Sequence, residues 1–535
     1  MPGVILENLS GRKLFVLVSI LLIGQFICFL IGGLIAPTPS SADTILATKC
    51  HDAGNNSDKW FYVRGKGKCN TIEDLKLKYS DTETQKHMAN HIVFAFQIPT
   101  PRDNMVLDYS RWQQNLIGVL MFEVVYNPEA EMEPRTVISM DARLGYRNYG
   151  DAEDDWKYYA SSFETRTLDC SIEVKKAGHH YNCSIVPLFE LGSLHHDYYV
   201  INIRLPVDSD RKLNHGLGFV TDMWLVAINQ NGGYTKVWMS MKVTFFPIIV
   251  AIMIWSWNRI HQLSRSPVLL EYMLLFLGCA LTFLNMPLEL FTLLFDLPFM
   301  LLFGDIRQGI FYAALLSFWL VFAGEHLMIQ DEQKNHLRMY WKHLSGVAIG
   351  CISLFIFDLC ERGIQLRNPF YSIWVTDLGT HLALTFIILA GISAALYFFF
   401  LSYMIWQVFT NISVKRATLP NMSNVRRLHY EGIIYRFKFL MLATLLCAAM
   451  TVIGFILDQI SEGRWKWDED LYLEYTSAVH TGVYGMWNIY IFALIVLYSP
   501  SHKQWPSEAD LASTTEIEFN EISSLTSFSR KAALD

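Results

Sequence analysis

The stretch LLFGDIRQGIFYAALLSFWLVFAGEH (301–326) decides the fold. It is apolar enough to cross a bilayer, yet it opens with Asp305, Arg307 and Gln308 and closes with Glu325-His326. Asp305 and Glu325 are twenty residues apart, which at ~1.5 Å per helical residue is roughly 30 Å, close to the thickness of a hydrocarbon core. The charges fit the two faces of a membrane, and the segment reads as a spanning helix. Two features are left over. One end is unusually polar, and Gly309, Ala313 and Ser317 align small residues on a single helix face.

Similar apolar runs recur on both sides of it. The chain has 535 residues, 52% hydrophobic and 17% charged, against about 25% charged in soluble domains. A net charge of −7 gives no footprint for nucleic acid. Hydropathy places eight spans near 14–36, 237–256, 268–291, 306–328, 343–360, 379–407, 437–458 and 477–498. The first follows Arg12 and Lys13 and is longer than the about 7–15 apolar residues of a signal peptide. It reads as a retained anchor, although SSA at 40–42 resembles a cleavage site.

Lysine and arginine set the orientation. With a cytosolic N-terminus, the cytosolic loops hold Arg259, Arg265, Lys334, Arg338, Lys342, Lys415, Arg416, Arg426, Arg427, Arg436 and Lys438. The short opposite loops hold only Arg362, Arg367, Arg464 and Lys466. The bias follows the positive-inside rule and predicts that both termini are cytosolic. The chain then divides into a cytosolic N-terminus (1–13), a first helix (14–36), a luminal domain (37–236), a seven-helix bundle (237–499) and a cytosolic tail (500–535).

Cys50, Cys69, Cys170 and Cys183 fall in the luminal segment. Four cysteines allow three connectivities; local pairing, Cys50–Cys69 and Cys170–Cys183, is expected because it closes short loops. Sequons at Asn55 and Asn182 are luminal and usable, while those at Asn8, Asn411 and Asn421 are cytosolic and silent.

Within the luminal segment the periodicity changes to short, β-rich runs: 91–99, 116–127, 135–147, 167–174, 181–191 and 198–207. Pro, Gly, Asn and Asp clusters separate them, which predicts an all-β sandwich or barrel-like domain. Residues 223–243 read as a hairpin around Asn231-Gly232-Gly233 whose second strand runs into the next span. His179-His180 and His195-His196 lack a carboxylate or cysteine set at ligand spacing, so they read as exposed loop histidines. With no nucleophile motif or phosphate loop, the domain reads as a binding module.

The luminal ends of the remaining spans collect Asn285, Glu289, Asp305, Arg307, Asp358, Glu361, Arg362, Asp377, His381, Asp458 and His480. Ionisable groups in spans face a bundle interior or a watery cavity, and this concentration at one end predicts a polar mouth. Below it the fourth span is apolar apart from Tyr312 and Ser317. Its Gly309-Ala313-Ser317 stripe either lets helices pack closely or leaves a slot for an apolar ligand. Gly482, Gly485 and Asn488 in the last span would similarly permit irregular packing around a cavity.

Several of these runs resemble one family. FMLLFGDIRQGIFYAALLSFW (299–319), DLCERGIQLRNPFYSIWVTDLGT (358–380), VRRLHYEGIIYRFKFLMLATLLCAAMTVI (425–453), NQNGGYTKVW (229–238), the opening MPGVILENLSGRKL and YSPSHK (498–503) are similar to the Wntless (Evi, Sprinter) family of Wnt sorting receptors. The resemblance covers most of residues 1–503. It implies one N-terminal helix, a luminal β-sandwich and a receptor-like seven-helix bundle. It also implies a non-enzymatic carrier, without cofactor or metal, that takes palmitoleoylated Wnt proteins from the endoplasmic reticulum through the Golgi to the cell surface. Clathrin adaptor, retromer and membrane lipids are the further partners it implies. Burying a methylene is worth about 0.8 kcal/mol, so a sixteen-carbon chain in water costs on the order of 10 kcal/mol and needs a host. On this reading Asp305, Arg307 and Gln308 rim an entrance, and Gly309, Tyr312, Ala313 and Ser317 line the slot below. Tyr430-Glu431-Gly432-Ile433 fits the Tyr-x-x-hydrophobic pattern of endocytic signals. The terminal RKAALD does not match the retrieval tail of some members.

The alternative is a G-protein-coupled signalling receptor, suggested by the seven-helix count. FAGEHLMIQ at the end of the third bundle helix lacks an acidic-Arg-Tyr triplet, and the last helix lacks Asn-Pro-x-x-Tyr. An acyltransferase would need a catalytic histidine with partners, for which His381 and His480 are the candidates. A transporter would show inverted repeats.

Overall fold

The computed structural model describes residues 4–9, 11–52, 61–64, 69–72, 90–101, 107–128, 131–133, 135–208, 213–214, 216–262, 266–327, 340–375, 377–417, 424–467 and 476–501. Among these, eight helices are long and apolar enough to cross a membrane. They are α1 (Gly11–Leu30, extended by a π-turn over Ile31–Ile35), α2 (Gly232–His261), α3 (Leu269–Asn285), α4 (Met300–Leu327), α5 (Trp341–Gln365), α6 (Asp377–Ala417), α7 (Asn424–Trp467) and α8 (Thr476–Tyr498). Between α1 and α2 lie eleven strands: β1 (Ser40–Leu46), β2 (Thr48–His51), β3 (Asn70–Thr71), β4 (Ile92–Ile98), β5 (Leu116–Val125), β6 (Arg135–Arg147), β7 (Lys157–Ser171), β8 (Asn182–Cys183), β9 (Val186–Leu191), β10 (Tyr198–Arg204) and β11 (Phe219–Gln230).

The strands form two antiparallel sheets, β1-β11-β5-β9 and β3-β2-β4-β10-β6-β7-β8. Alternation explains their faces. In β6, Ile138, Met140, Ala142 and Leu144 point inward and are fully buried, with Arg135 and Val137 left exposed. They meet Leu120, Leu225 and Ile201 in one inter-sheet core, the packing expected of a sandwich. Cys50 is bonded to Cys69, and Cys170 to Cys183 across the β7–β8 pair.

Ser40, Ser41 and Ala42 begin β1 and pair with Gln230, Asn229 and Ile228. One sequence expectation changes. The hairpin expected around Asn231 is absent, because β11 passes directly into α2. Asn231 is the N-cap of that helix, its side chain accepting from the Gly233 N–H at 2.9 Å. β11 already has β1 and β5 as neighbours, so a returning strand has no edge to join.

α1 packs along α8. Thr481 Oγ1 donates to the Cys28 carbonyl (3.0 Å), and Gln25 Nε2 to that of Gly482 (2.9 Å). A Cβ at Gly482 or Gly485 would lie 2.2 Å from Phe29 or 2.5 Å from Cys28. These glycines therefore seat the first helix; they do not border a cavity. Beyond the membrane, the Ile5 N–H donates to the Ser499 carbonyl (3.0 Å) and Arg259 to that of Pro500 (3.0 Å). Leu6 is buried there, its carbonyl accepting from Arg436 at 3.0 Å. Both described chain ends thus meet on one face of the bundle.

Candidate functional site at the mouth of the bundle

Successive residues of an α-helix are ~100° apart, so α4 carries its polar start on two different faces. Arg307 turns inward with Phe311, Leu315 and Phe318, all fully or almost fully buried. It donates to the Met286 carbonyl (2.7 Å) and pairs with Glu289, which also holds Lys242 at 2.5 Å. Two buried cations share one carboxylate that joins α2, α4 and the α3–α4 connection. Arg307 is therefore no rim residue; it is part of a clamp within the bundle.

Leu301, Asp305, Gly309, Ala313 and Ser317 recur every fourth residue along another face. Asp305 receives the Arg362 Nε of α5 at 2.7 Å. The same guanidinium donates to Glu190 of β9 at 2.9 Å, and Gln365 donates to the second oxygen of that carboxylate at 3.1 Å. One arginine thus ties two membrane helices to the sandwich. Beside it a cleft of about 220 Å³ is lined by Tyr159, Glu190, Gly192, Pro298, Leu301 and Arg362 among others. A Cβ at Gly192 would lie 2.8 Å from the Pro298 carbonyl, so glycine permits the sandwich to approach α4 this closely.

Below the cleft the stripe is open at Gly309. Gly309 is exposed, and a Cβ there would meet nothing within 4 Å; the same holds for Gly346 and Gly350 of α5. Ala313 and Ser317 are half-buried. Gln308 donates to the Tyr312 hydroxyl (3.1 Å), and the Tyr312 ring lies edge-on to Trp487, 5.5 Å between centroids. At the far end Tyr340 donates to Glu325 at 2.9 Å. α4 and α5 are therefore joined by polar contacts at both ends, and the space at Gly309, Gly346 and Gly350 is open. Behind the stripe, Trp319 donates to the Tyr490 hydroxyl (3.2 Å), which lies 2.8 Å from Thr444. The wall is rigid and its polar atoms are satisfied.

The remaining polar mouth disperses. Asn285 donates to Asn488 at 2.5 Å and accepts from Tyr484 at 2.6 Å, deep in the bundle. His381 is exposed and His480 half-buried. The side chains of Asp377 and Asp458 lie outside the described residues. Among the described residues no group of three His, Cys, Asp or Glu side chains is placed to hold a metal ion. His195 and His196 are not free loop residues: His196 stacks on Tyr146 at 3.7 Å and lies 2.9 Å from Asn148. Burial and the neighbouring His195 hold its pKa below the usual histidine range. Asn182 is exposed in β8, and Asn55 lies outside the described residues. Tyr430 and Ile433 lie in the helical start of α7, and their side chains are outside the described residues.

Sequence reasoning missed the other half of the junction. Phe370, in the loop after α5, is fully buried in the sandwich core, 6.3 Å from Phe189. Its carbonyl accepts from Arg166 Nη2 at 2.7 Å, and the Pro369 carbonyl accepts from the Glu190 N–H at 2.8 Å. Arg166 spends its other donors on Pro187 and Glu164, which is how a buried guanidinium is tolerated. An apolar Phe-Tyr pair in a short polar loop was the available signal. For Lys242, the signal was an ionisable residue inside an apolar span.

The class so defined is a multi-pass membrane protein carrying a two-sheet β-sandwich over the mouth of a seven-helix bundle, with an additional helix against the last one. Residues 48–230 match the profile described as Wntless, GOLD domain, and residues 231–502 that described as Wntless-like, transmembrane domain. The chain is 56% identical to Protein wntless of Drosophila virilis and of Drosophila mojavensis, and 55% identical to that of Drosophila grimshawi, in each case over 100% of both chains. The chain belongs to the Wntless family.

Proposed function

We propose that this protein is a receptor that carries palmitoleoylated Wnt proteins from the endoplasmic reticulum through the Golgi to the cell surface, with the acyl chain held along the Gly309-Ala313-Ser317 face. Membership of the Wntless family supports a role in Wnt secretion, and that family is not one of enzymes. The observation that carries the finer reading is the opening of the stripe at Gly309. Gly309 has open space at its Cβ position although α4 is tied to α5 by Asp305–Arg362 above and Glu325–Tyr340 below. An acyl chain there loses contact with water at about 0.8 kcal/mol per methylene. The cleft above, lined by Arg362, Gln365 and Glu190, suits the polar ester and peptide end. On this reading the sandwich is luminal and both termini are cytosolic. Retromer and a clathrin adaptor recycle the empty receptor.

The test is Ala313→Trp. The indole fills the space meant for the chain, so lipidated Wnt should stop co-purifying and its secretion should fall, while the thermal stability of cargo-free protein in detergent stays unchanged. If the face is a packing seam, the same change overpacks the bundle by about 1–3 kcal/mol and stability drops. Retained binding at normal stability means that the chain lies elsewhere.

A further inference from the structure

We infer that residues 286–299, the connection between α3 and α4, are embedded in the leaflet on the sandwich side and insert apolar side chains among phospholipid acyl chains.

Protein covers little of this segment's apolar surface. Phe291, Leu294, Phe295 and Phe299 are 51%, 69%, 58% and 47% exposed. A patch of that kind on a soluble surface marks a binding face. The outward face of α3 is similarly uncovered, at Tyr272 and Phe276. The partner that already borders this face is the bilayer.

Length points the same way. α3 has 17 residues, about 25 Å at ~1.5 Å each, short of the roughly 30 Å hydrocarbon core. The connection makes up the missing depth with an irregular backbone. Such a backbone is tolerated beside lipid where its polar groups are satisfied within the protein, and seven carbonyls of the segment have partners. The carbonyl of Met286 accepts from Arg307, that of Glu289 from Thr292 Oγ1, and that of Leu293 from Arg111 of the sandwich. The carbonyls of Pro287, Phe291, Leu297 and Phe299 accept backbone N–H groups from Leu290, Leu294 and Phe295, Met300 and Phe303 respectively.

The segment is also held rigidly enough to act as a wedge. Glu289 sits between Lys242 and Arg307, and Thr292 accepts from Gln114 of the sandwich at 3.1 Å. Its exposed carboxylate, Asp296, is on the sandwich side, where after burial it raises the pKa of the Tyr159 phenol. One edge of the segment is therefore charged and wet, while the other is apolar. This is the division expected of an interfacial element.

The experiment uses full-length protein in phosphatidylcholine vesicles whose lipids carry an alkyne-tagged acyl chain. A benzophenone-bearing phenylalanine analogue is placed at Leu294 and, in a separate variant, at Phe295. Phe276 on α3 serves as the lipid-facing reference, and Tyr149 of the sandwich, 76% exposed, as the aqueous one. After irradiation, both test positions should form tagged-lipid adducts within about twofold of Phe276 and on the order of tenfold above Tyr149. Adducts at the Tyr149 level at both positions overturn the inference. So does crosslinking to a second copy of the chain or to bound cargo in place of lipid.

Discussion

Phe370→Ala should loosen the loop after α5 from the sandwich while leaving sandwich and bundle folded. The ring is fully buried in the core of a domain to which its own loop does not belong in sequence. A phenylalanine ring buries about 150–250 Å², which at about 25 cal/mol per Å² is worth roughly 4–6 kcal/mol. Phe→Ala changes in cores cost about 3–5 kcal/mol. The lower end applies, because the vacated space is at an interface and can open to solvent. The two backbone bonds of the loop, to Arg166 and from the Glu190 N–H, are formally untouched. The Glu190 amide is therefore a direct reporter of docking. Hydrogen exchange of full-length protein in nanodiscs should show that amide accelerating on the order of a hundredfold for ~3 kcal/mol, while the amide of Ile201 in β10 keeps its wild-type rate. Phe370→Leu should have a much smaller effect. Unchanged exchange at Glu190 would show that the ring does not hold the junction. Equal acceleration at Ile201 would show that the loop is needed for the sandwich to fold, and the docking account would be wrong.

Glu289→Gln removes the carboxylate shared by Lys242 and Arg307 and should lower bundle stability by about 3–5 kcal/mol, read as a fall in the melting temperature of cargo-free protein; an unchanged Tm removes the clamp. Asn55 and Asn182 should carry glycans and Asn411 and Asn421 none, and glycosidase-sensitive mass on a peptide containing Asn411 would invert the assigned topology. Tyr430→Ala should slow internalisation and raise the surface pool, whereas unchanged uptake of surface-labelled protein would remove this tetrapeptide from trafficking.

The eight spans were legible because apolar length is a one-dimensional property, and β6 was legible because its alternation is regular over Arg135–Arg147. The first half of β7 was not. Tyr158 to Glu164 alternates between solvent and a half-covered face, so its inward residues are Ala160, Ser162 and Glu164, not aliphatics. At Asn231-Gly232-Gly233 the local signal for a hairpin and that for a helix N-cap are nearly the same; only the strands already flanking β11 decide between them. The polar start of α4 fails for a different reason. Asp305 and Arg307 are two residues apart in sequence but turn to different faces, one toward α5 and the sandwich, the other toward Glu289. Spacing groups Asp305 with Gly309, and charge groups it with Arg307. The partner residues that settle the matter, Glu190 and Arg362, are 172 positions apart.

The antiparallel pairing of β1 with β11 joins the exit of α1 to the entry of α2, with the Asn231 N–H donating to the Pro39 carbonyl at 2.8 Å. Mechanically this is a two-legged suspension without slack. A body hung from two adjacent legs can still rock about the line through its feet, but it cannot twist. The sandwich also meets the bundle through Arg111 on the Leu293 carbonyl, Gln114 on Thr292, Glu190 on Arg362 and Gln365, and the Phe370 loop in the core. These act as outriggers against the rocking. A load applied to the sandwich by a tightly held cargo is then transmitted as strain into α1, α2 and α5, whose far ends lie on the opposite membrane surface. Release of all these outriggers together would convert a rigid bracket into a flap with a single axis of swing.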